Sequence, residues 1–231
     1  MTEHFEVHER DGAARIAELR LADPVTTPAG DDARLTVLPH RGLPAGTPDE
    51  VRAAFAPDSP DVDYPSAAVV APDTAGDLGT DAYVLSTAQG VVGHAAAFVE
   101  AVVETRRAIP DDTALYLSGV ATPANVATLA YSGVDLFDAD RAVVAGTEGR
   151  YLTVDGERRI SDLAELPCPC PACRGSVDEF DREDCVEHNV NALRAALATV
   201  RERIRDGRLR DYVEGQARHE NWLTAVLRRL D

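Results

Sequence analysis

The chain of 231 residues is 45% hydrophobic, which is enough apolar surface for one or two globular domains with a proper core. It carries 40 acidic residues against 23 basic ones, a formal charge of −17, and every basic residue is arginine. This composition excludes an intrinsically disordered chain, whereas generic acidity of this kind does not exclude a nucleic-acid partner.

The absence of lysine is typical of acidic proteins that work in molar salt, where carboxylates keep a protein hydrated and salt screens their repulsion. An arginine-biased genome would produce the same absence without any adaptation to salt. No apolar run is as long as a membrane span, and the first residues lack the charged, apolar and small-residue regions of a signal peptide. We therefore expect a cytoplasmic protein without a membrane partner.

The first predicted element is a β-hairpin. The sequence FEVHERDGAARIAEL, residues 5–19, alternates around Asp11-Gly12, a dipeptide that favours a tight turn between two strands. A proline-broken stretch follows at 21–32. We expect this first segment to cover, or to lead into, a main sheet.

Short apolar strands then alternate with helices along the middle of the chain. The predicted strands are LTVLP, SAAVVAP, AYVLS, TALYLS and VDLFD, at residues 35–39, 66–72, 82–86, 113–118 and 134–138. Helical patterns in residues 93–108 and 122–133 lie between successive strands, which indicates parallel βαβ units. AVV at 142–144 and YLTV at 151–154 are possible further strands.

About five strands are few for a closed eight-stranded barrel. The sequence therefore predicts an α/β fold, either a truncated or incomplete (β/α) barrel of the TIM type or an open parallel sheet. We place this barrel-like domain at residues 1–160.

The end of the chain is predicted to be helical. Apolar residues recur at spacings of three and four from Val190 to Ile204, Gly207 ends that helix, and a second apolar series continues from Leu209. We assign residues 161–231 to a zinc-binding helical subdomain. It is made of this pair of helices and a preceding knuckle that contains the cysteines at 168–185.

Residues 194–231 contain nine arginines against six acidic residues, a local charge of +3. Such an asymmetry is typical of a tail that binds RNA or a partner protein. Arg205, Arg208 and Arg210 are the candidate contacts, because they cluster around the turn between the two predicted helices. An ordinary solvated helix face would show the same excess.

All four cysteines of the chain lie in LPCPCPACRGSVDEFDREDCVEHN, residues 166–189. Cys168, Cys170 and Cys173 form a C-x-C-x-x-C set whose thiolates can converge on one tetrahedral zinc ion. In a reducing compartment such a cluster binds metal more often than it forms disulfides.

The fourth ligand of this ion is either His188 or Cys185. Asp184 can cap a helix that begins around it, which would place His188 in the first turn, facing the thiolates. Cys185 lies three residues away on the same face, so a site of four cysteines stays open. Four protein ligands leave no position for water, and the zinc would therefore be structural.

Several segments resemble the tRNA-guanine transglycosylase family. CPCPACR, followed by EHNVNALRAALATVRERIRDGRLRDYVEG, is similar to the family's zinc-binding subdomain, in which a histidine that opens a long helix closes the knuckle. LSGVATPANVATLAYSGVDLFD is similar to the family's G-V-G-T-P and G-[IV]-D-x-F-D segments. The resemblance implies a barrel fold, tRNA as the substrate, and four zinc ligands: Cys168, Cys170, Cys173 and His188.

The resemblance also implies site residues. In the family, the aspartate that ends G-V-D-x-F-D attacks the ribose and expels guanine, and the matching residue is Asp138. LSTAQG at 85–90 stands where the family has its base-binding segment, so Gln89, together with Gly119 of the G-V-A-T-P segment, is implied in substrate binding. Leu85 or a neighbour replaces the acid of that segment, and we expect no base exchange by this chain alone.

With this departure from the family's pattern, the chain resembles the archaeosine synthase branch of the superfamily, which modifies a 7-deazaguanine base at position 15 of archaeal tRNA. That branch carries a lysine motif and an RNA-binding PUA domain further toward the C-terminus. The resemblance therefore implies a second subunit, or a missing C-terminal half with the PUA domain, as a partner. The alternative is a non-catalytic, zinc-stapled scaffold or homodimerisation module that binds tRNA or a partner subunit.

Overall fold

The computed structural model describes residues 4–20, 25–26, 36–37, 47–55 and 66–231. Most of the proline-broken stretch at 21–32 and part of the predicted strand at 35–39 lie outside these ranges. Among the described residues, no helix has both the length and the apolar character that a bilayer crossing requires.

The predicted N-terminal hairpin is confirmed. Strands β1 (Phe5–Asp11) and β2 (Ala14–Leu19) pair antiparallel on either side of Gly12, whose φ of +63° is a left-handed conformation that glycine adopts without strain. A short strand, β3 (Val25–Thr26), pairs with the other side of β2. The hairpin therefore belongs to a small sheet of its own.

A parallel sheet forms the centre of the fold. Its described strands are hydrogen-bonded in chain order: β4 (Thr36–Val37), β5 (Ser66–Val70), β6 (Ala82–Leu85), β7 (Ala114–Leu117) and β8 (Leu136–Phe137). Helices alternate with these strands in the chain: α1 (Asp49–Phe55), α2 (Ala88–Val91), α3 (Ala95–Ala108) and α4 (Val126–Tyr131). All four pairings are parallel, which confirms the α/β class and places the carboxyl ends of the strands at one edge.

After β8 the chain leaves the central sheet. Residues 142–144, a possible strand, lie instead in helix α5 (Asp140–Thr147), so that expectation is wrong. The alanines of α5 face the core while Val143 and Val144 are exposed, so an unbroken apolar run hid the helical period.

The possible strand at 151–154 is confirmed as a strand but lies outside the central sheet. Strand β9 (Arg150–Thr153) pairs antiparallel with β10 (Gly156–Arg159) in a separate hairpin. The β9–β10 hairpin contacts the helix that follows the cysteine knuckle.

The C-terminal part of the chain forms three described helices: α6 (Arg182–Arg205), α7 (Leu209–Ala217) and α8 (Asn221–Leu230). Asp181, not Asp184, caps α6, because its side chain accepts the N–H groups of Glu183 and Asp184. The expectation of a single helix after Gly207 is wrong. The chain turns after α7, where the hydroxyl of Thr224 donates to the carbonyl of Ala217 at 2.7 Å.

One buried apolar cluster runs through the central sheet and the C-terminal helices. It includes Leu115 and Leu117 of β7, Leu193 and Leu197 of α6, and Leu223 of α8. The core is therefore continuous across residue 160, where we expected a domain boundary.

A buried ion pair fastens the N-terminal hairpin to the central sheet. Arg15 Nε lies 2.9 Å from Asp135 Oδ1, and both side chains are only 1% exposed. The same guanidinium donates to the carbonyls of Asp111 (2.6 Å) and Thr113 (2.9 Å), and Asp135 accepts the N–H of Leu115 at 2.8 Å. The pair lies at the amino ends of β7 and β8, so the carboxyl ends are at the opposite edge.

Candidate functional site

Three residues that the sequence analysis selected lie together at the carboxyl edge of the central sheet. Gln89 lies in α2 after β6, Gly119 follows β7, and Asp138 directly follows β8. Because β6, β7 and β8 are neighbouring parallel strands, their carboxyl ends bring the three residues together. A methyl group on Gly119 would overlap the amide nitrogen of Gln89, so these two residues are in direct contact.

The carboxylate of Asp138 receives hydrogen bonds on both oxygens. The hydroxyl of Tyr116 donates to Oδ2 at 2.8 Å, and the N–H of Gly119 lies 2.9 Å from each oxygen. The N–H of Asp140 donates to Oδ1 at 3.2 Å. Burial and the bond to Asp138 raise the pKa of Tyr116, so the tyrosine stays protonated and the carboxylate keeps a fixed direction.

A cavity of about 780 Å³ opens beside Gln89 and Gly119, and Asp138 is not among the described residues that line it. Gln89 and Gly119 line it at the sheet edge, Arg141 lines it from α5, Glu157 from β10, and Trp222 from α8. Small-molecule sites in proteins commonly measure about 300–1,000 Å³. The cavity therefore has the size of a ligand site and joins the sheet edge to the β9–β10 hairpin and the C-terminal helices.

Cys168, Cys170, Cys173 and His188 form a second group, and their possible ligand atoms all lie within 4.8 Å of one another. The Sγ atoms of Cys170 and Cys173 are 3.6 Å apart, and His188 Nδ1 lies 3.3 Å from Cys173 Sγ and 3.6 Å from Cys170 Sγ. Ligand atoms around a tetrahedral ion with bonds of about 2.0–2.3 Å lie roughly 3.3–3.8 Å apart. The group can therefore hold a metal ion.

His188 is oriented by two neighbouring residues of β9. Its Nε2 lies 2.9 Å from the carbonyl of Leu152, so Nε2 carries the proton and Nδ1 presents its lone pair to the thiols. Tyr151 stacks on the imidazole, with ring centroids 3.7 Å apart, and its hydroxyl lies 3.4 Å from Cys173 Sγ. Burial lowers the pKa of His188, which favours the neutral form that a metal ion requires.

The three thiols of this group differ in exposure: Cys173 is buried, and Cys168 and Cys170 are half-buried. Burial raises the pKa of Cys173 to about 12, and burial also raises the pKa of Cys168. A raised pKa keeps a thiol protonated at neutral pH, and a bound cation would supply the charge that stabilises the thiolate form.

The alternative fourth ligand, Cys185, lies outside this group. Its thiol donates to the carbonyl of Arg150 at 3.4 Å, and burial raises its pKa to about 11. The position that completes the four-residue group belongs to His188.

The sequence of this chain matches a known protein family. Residues 68–221 match the family model TGT, described as queuine tRNA-ribosyltransferase. The chain belongs to that family. This match confirms the resemblance inferred from the cysteine knuckle and the G-V-D-x-F-D segment.

The chain is similar to two curated relatives over its full length or nearly so, and to a third over about half of it. The archaeosine synthase of Haloferax volcanii is 60% identical over 100% of this chain and 43% of the relative. The archaeosine synthase subunit alpha of Methanosarcina acetivorans is 34% identical over 99% of this chain and 45% of the relative. The tRNA-guanine(15) transglycosylase of Haloferax volcanii is 35% identical over 52% of this chain and 25% of the relative. The chain thus spans less than half the length of these relatives.

Asn189 joins the metal-binding group to the cavity wall, although it was not among the residues predicted from the sequence. Its Oδ1 accepts the N–H of Leu152 at 2.8 Å, and its Nδ2 donates to the carbonyls of Arg150 (2.9 Å) and Ala142 (3.1 Å). One side chain of α6 thereby ties β9 to α5. Its position next to His188 in EHN was the available signal.

The three arginines predicted to contact RNA or a partner differ in their surroundings. Arg210 donates to Glu214 at 2.8 Å and to Asp231, and it lies 3.2 Å from the hydroxyl of Tyr131. Arg205 and Arg208 are exposed, and within the described part of the chain neither has a salt bridge. Arg210 therefore holds the C-terminal helices together, whereas the other two guanidinium groups face solvent.

Proposed function

We propose that this chain is the transglycosylase-like part of a tRNA-modifying protein that makes archaeosine, a 7-deazaguanine derivative, at position 15 of tRNA. The observation that carries this proposal is the 60% identity of the whole chain to an archaeosine synthase. The second relative is called a subunit alpha, which supports a chain that acts together with another polypeptide.

The ion proposed for the Cys168, Cys170, Cys173 and His188 group is one structural zinc. Three thiolates and an imidazole are ligands that zinc prefers, and four protein ligands leave no place for a reactive water. The ion would join the knuckle to α6, and through Tyr151 and Leu152 it would also fix β9.

An incomplete barrel of the TIM type is proposed for residues 1–160, with the zinc-binding helical subdomain at 161–231. The described strands are ordered as they occur in the chain, which is the order of a barrel, whereas a doubly wound sheet contains a reversal. This order supports the barrel over the open sheet.

Asp138, Gln89 and Gly119 are proposed to bind the nucleoside at the sheet edge. In a transglycosylase the residue corresponding to Asp138 is the nucleophile, and the donors from Tyr116 and Gly119 would aim it at the ribose. Base exchange by this chain alone is not expected. The buried, apolar Leu85, or a neighbour, stands in place of the acid that the family uses for proton transfer.

The partners proposed are tRNA and a further polypeptide, or further part of the same protein, with the lysine motif and the PUA domain. Arg205 and Arg208 are the proposed contacts on the C-terminal helices, and cytoplasm is the proposed location. A homodimeric, non-catalytic scaffold is the competing hypothesis, and the following experiment separates the two.

The test combines the purified chain with the polypeptide that carries the lysine motif and the PUA domain, tRNA with the nitrile base preQ0 at position 15, and an amine or ammonia donor, because converting a nitrile to an amidine adds one nitrogen. Mass spectrometry of the tRNA nucleosides should show archaeosine only when both polypeptides are present. Product formed by the second polypeptide alone, at the same rate, would support the scaffold instead. Tyr116→Phe and Asp138→Asn should both lower the rate if the sheet edge binds the nucleoside.

A further inference from the structure

The β9–β10 hairpin carries two adjacent arginines that face solvent. Arg158 and Arg159 of β10 are exposed, and neither forms a salt bridge with any residue that the structure describes. Several other arginines of this acidic protein are paired, for example Arg10 with Asp111 at 2.8 Å, whereas Arg228 and Arg229 are, like Arg158 and Arg159, exposed and without a salt bridge among the described residues. What distinguishes Arg158 and Arg159 from such pairs is their place on the β9–β10 hairpin, beside the cavity.

Two carboxylates close in sequence to these arginines have other partners. Glu157 lies 3.3 Å from the guanidinium of Arg150. Asp155 lies 3.2 Å from Nε2 of His219, in the turn between α7 and α8. The hairpin thus keeps its own acidic groups away from Arg158 and Arg159, and their charge is available to an anion.

The two arginines lie next to the cavity. Gly156 and Glu157, the residues that precede them on β10, line the cavity, and a strand advances about 3.3 Å per residue. Measured from Glu157, the Cα atom of Arg158 therefore lies about 3 Å along the strand and that of Arg159 about 7 Å. The latter distance is comparable to the spacing of successive phosphates along an extended nucleic-acid strand.

The edge of β10 is accessible and held in place. Among the described strands, β10 pairs only with β9, so its other edge is unpaired. Arg158 lies opposite Tyr151 and Arg159 opposite Arg150, so the two side chains leave the strand on opposite faces. Because Asn189 and His188 bond to the backbone of β9, the hairpin presents this edge without a further cost in ordering.

We propose that Arg158 and Arg159 form a phosphate-binding edge for the RNA strand whose nucleotide enters the cavity. This inference rests on the proposed function, because it takes tRNA as the substrate. A guanidinium group binds phosphate through two parallel hydrogen bonds, so it holds RNA locally even where the net charge of −17 repels it. The two arginines position the RNA backbone on either side of the modified nucleotide, and they do not read the base sequence.

The experiment compares two double variants of the 231-residue chain, Arg158→Gln/Arg159→Gln and Arg228→Gln/Arg229→Gln. The second pair is a matched control, because Arg228 and Arg229 are also adjacent, exposed and without a salt bridge in the described residues, but lie near the end of α8. Binding of fluorescently labelled tRNA is measured by anisotropy at several salt concentrations. Metal content and circular dichroism are measured for each variant to confirm that the hairpin still folds.

The β10 variant should bind tRNA at least tenfold more weakly than wild type, and the salt dependence of its binding should fall by about two phosphate contacts. The α8 variant should bind within twofold of wild type. Equal losses in both variants would mean a diffuse charge effect and would overturn the proposal, as would unchanged binding in the β10 variant. Either result leaves the proposed function standing, because wild-type chain still binds tRNA.

Two further outcomes would also contradict the proposal. If the wild-type chain binds no tRNA at all, this proposal is wrong, whereas the proposed function is decided separately by archaeosine formation in the presence of the second polypeptide. If poly-glutamate displaces tRNA from wild type as well as an RNA competitor of equal charge does, the edge recognises an acidic protein surface rather than phosphate, and the proposal is wrong.

Discussion

The aromatic ring of Tyr151 lies flat against the imidazole of His188, with ring centroids 3.7 Å apart and ring planes 9° apart. His188 comes from α6 and Tyr151 from β9, so the fourth ligand is positioned by a strand that lies outside the cysteine knuckle. The same strand places the carbonyl of Leu152 at 2.9 Å from the histidine and leads into the hairpin that lines the cavity. Metal binding and the cavity wall therefore share one structural element.

Replacing Tyr151 by phenylalanine tests the contribution of its hydroxyl to the metal-binding group. The ring would still stack on His188, but Cys173 Sγ would lose a hydrogen-bond donor. Neighbours of metal ligands typically contribute about 10–100-fold to metal affinity, so Tyr151→Phe should release zinc faster to a chelator while still binding one equivalent. Release at the wild-type rate would show that the hydroxyl makes no contribution.

The ligand set is tested by two serine substitutions of cysteines. Cys170→Ser should lose the metal and destabilise the region from the knuckle to α6, because three ligands no longer close the shell. Cys185→Ser should keep one equivalent of zinc, since Cys185 bonds to the carbonyl of Arg150 instead. Metal analysis by mass spectrometry gives the answer directly. Loss of metal in both variants would contradict the assignment of His188.

Gly119→Ala tests the contact between Gly119 and Gln89. Gly119 has a φ of +71°, and its new methyl group would overlap the amide of Gln89. We expect a loss of about 1–3 kcal/mol in the free energy of unfolding, from the left-handed backbone and the displaced glutamine. Adding Gln89→Ala should restore only the part caused by overlap. Denaturant titration of the two variants separates these contributions, and equal stability of Gly119→Ala and wild type would refute this geometry.

The buried pair of Arg15 and Asp135 predicts a large stability effect far from the candidate sites. Arg15→Met removes the closer of the two arginines paired with the buried Asp135, since Arg106 lies 3.7 Å from it, and should cost about 3–5 kcal/mol in the free energy of unfolding. Arg10→Met is the matched control, because Arg10 pairs with the exposed Asp111 and should cost about 0–1 kcal/mol. Similar losses in the two variants, measured by denaturant unfolding, would contradict the role given to the buried pair.

The sequence predicted those features that depend on local pattern. The strands ending at Val70, Leu85 and Leu117, and the helix ending at Ala108, follow from short apolar runs and from helical spacing. The C-x-C-x-x-C spacing is also local, and it identified three members of the metal-binding group.

Features that depend on distant parts of the chain were not predictable in the same way. Arg15 and Asp135 are 120 positions apart, and Tyr151 and His188 meet only because β9 packs on α6. Residues 142–144 of helix α5 were predicted as a possible strand because they are all apolar. Val143 and Val144 are in fact exposed, and a pattern of hydrophobicity alone does not distinguish exposed apolar residues from those of a core strand.

The central claim, that this chain is a component of archaeosine formation, is tested most directly in the cells that encode it. The gene region for these 231 residues is deleted, and the nucleosides of total tRNA are measured by liquid chromatography and mass spectrometry. The account predicts that archaeosine disappears, that its nitrile precursor preQ0 accumulates in tRNA, and that a plasmid copy restores archaeosine whereas a copy with Asp138→Asn does not. Wild-type levels of archaeosine in the deletion strain would contradict the account.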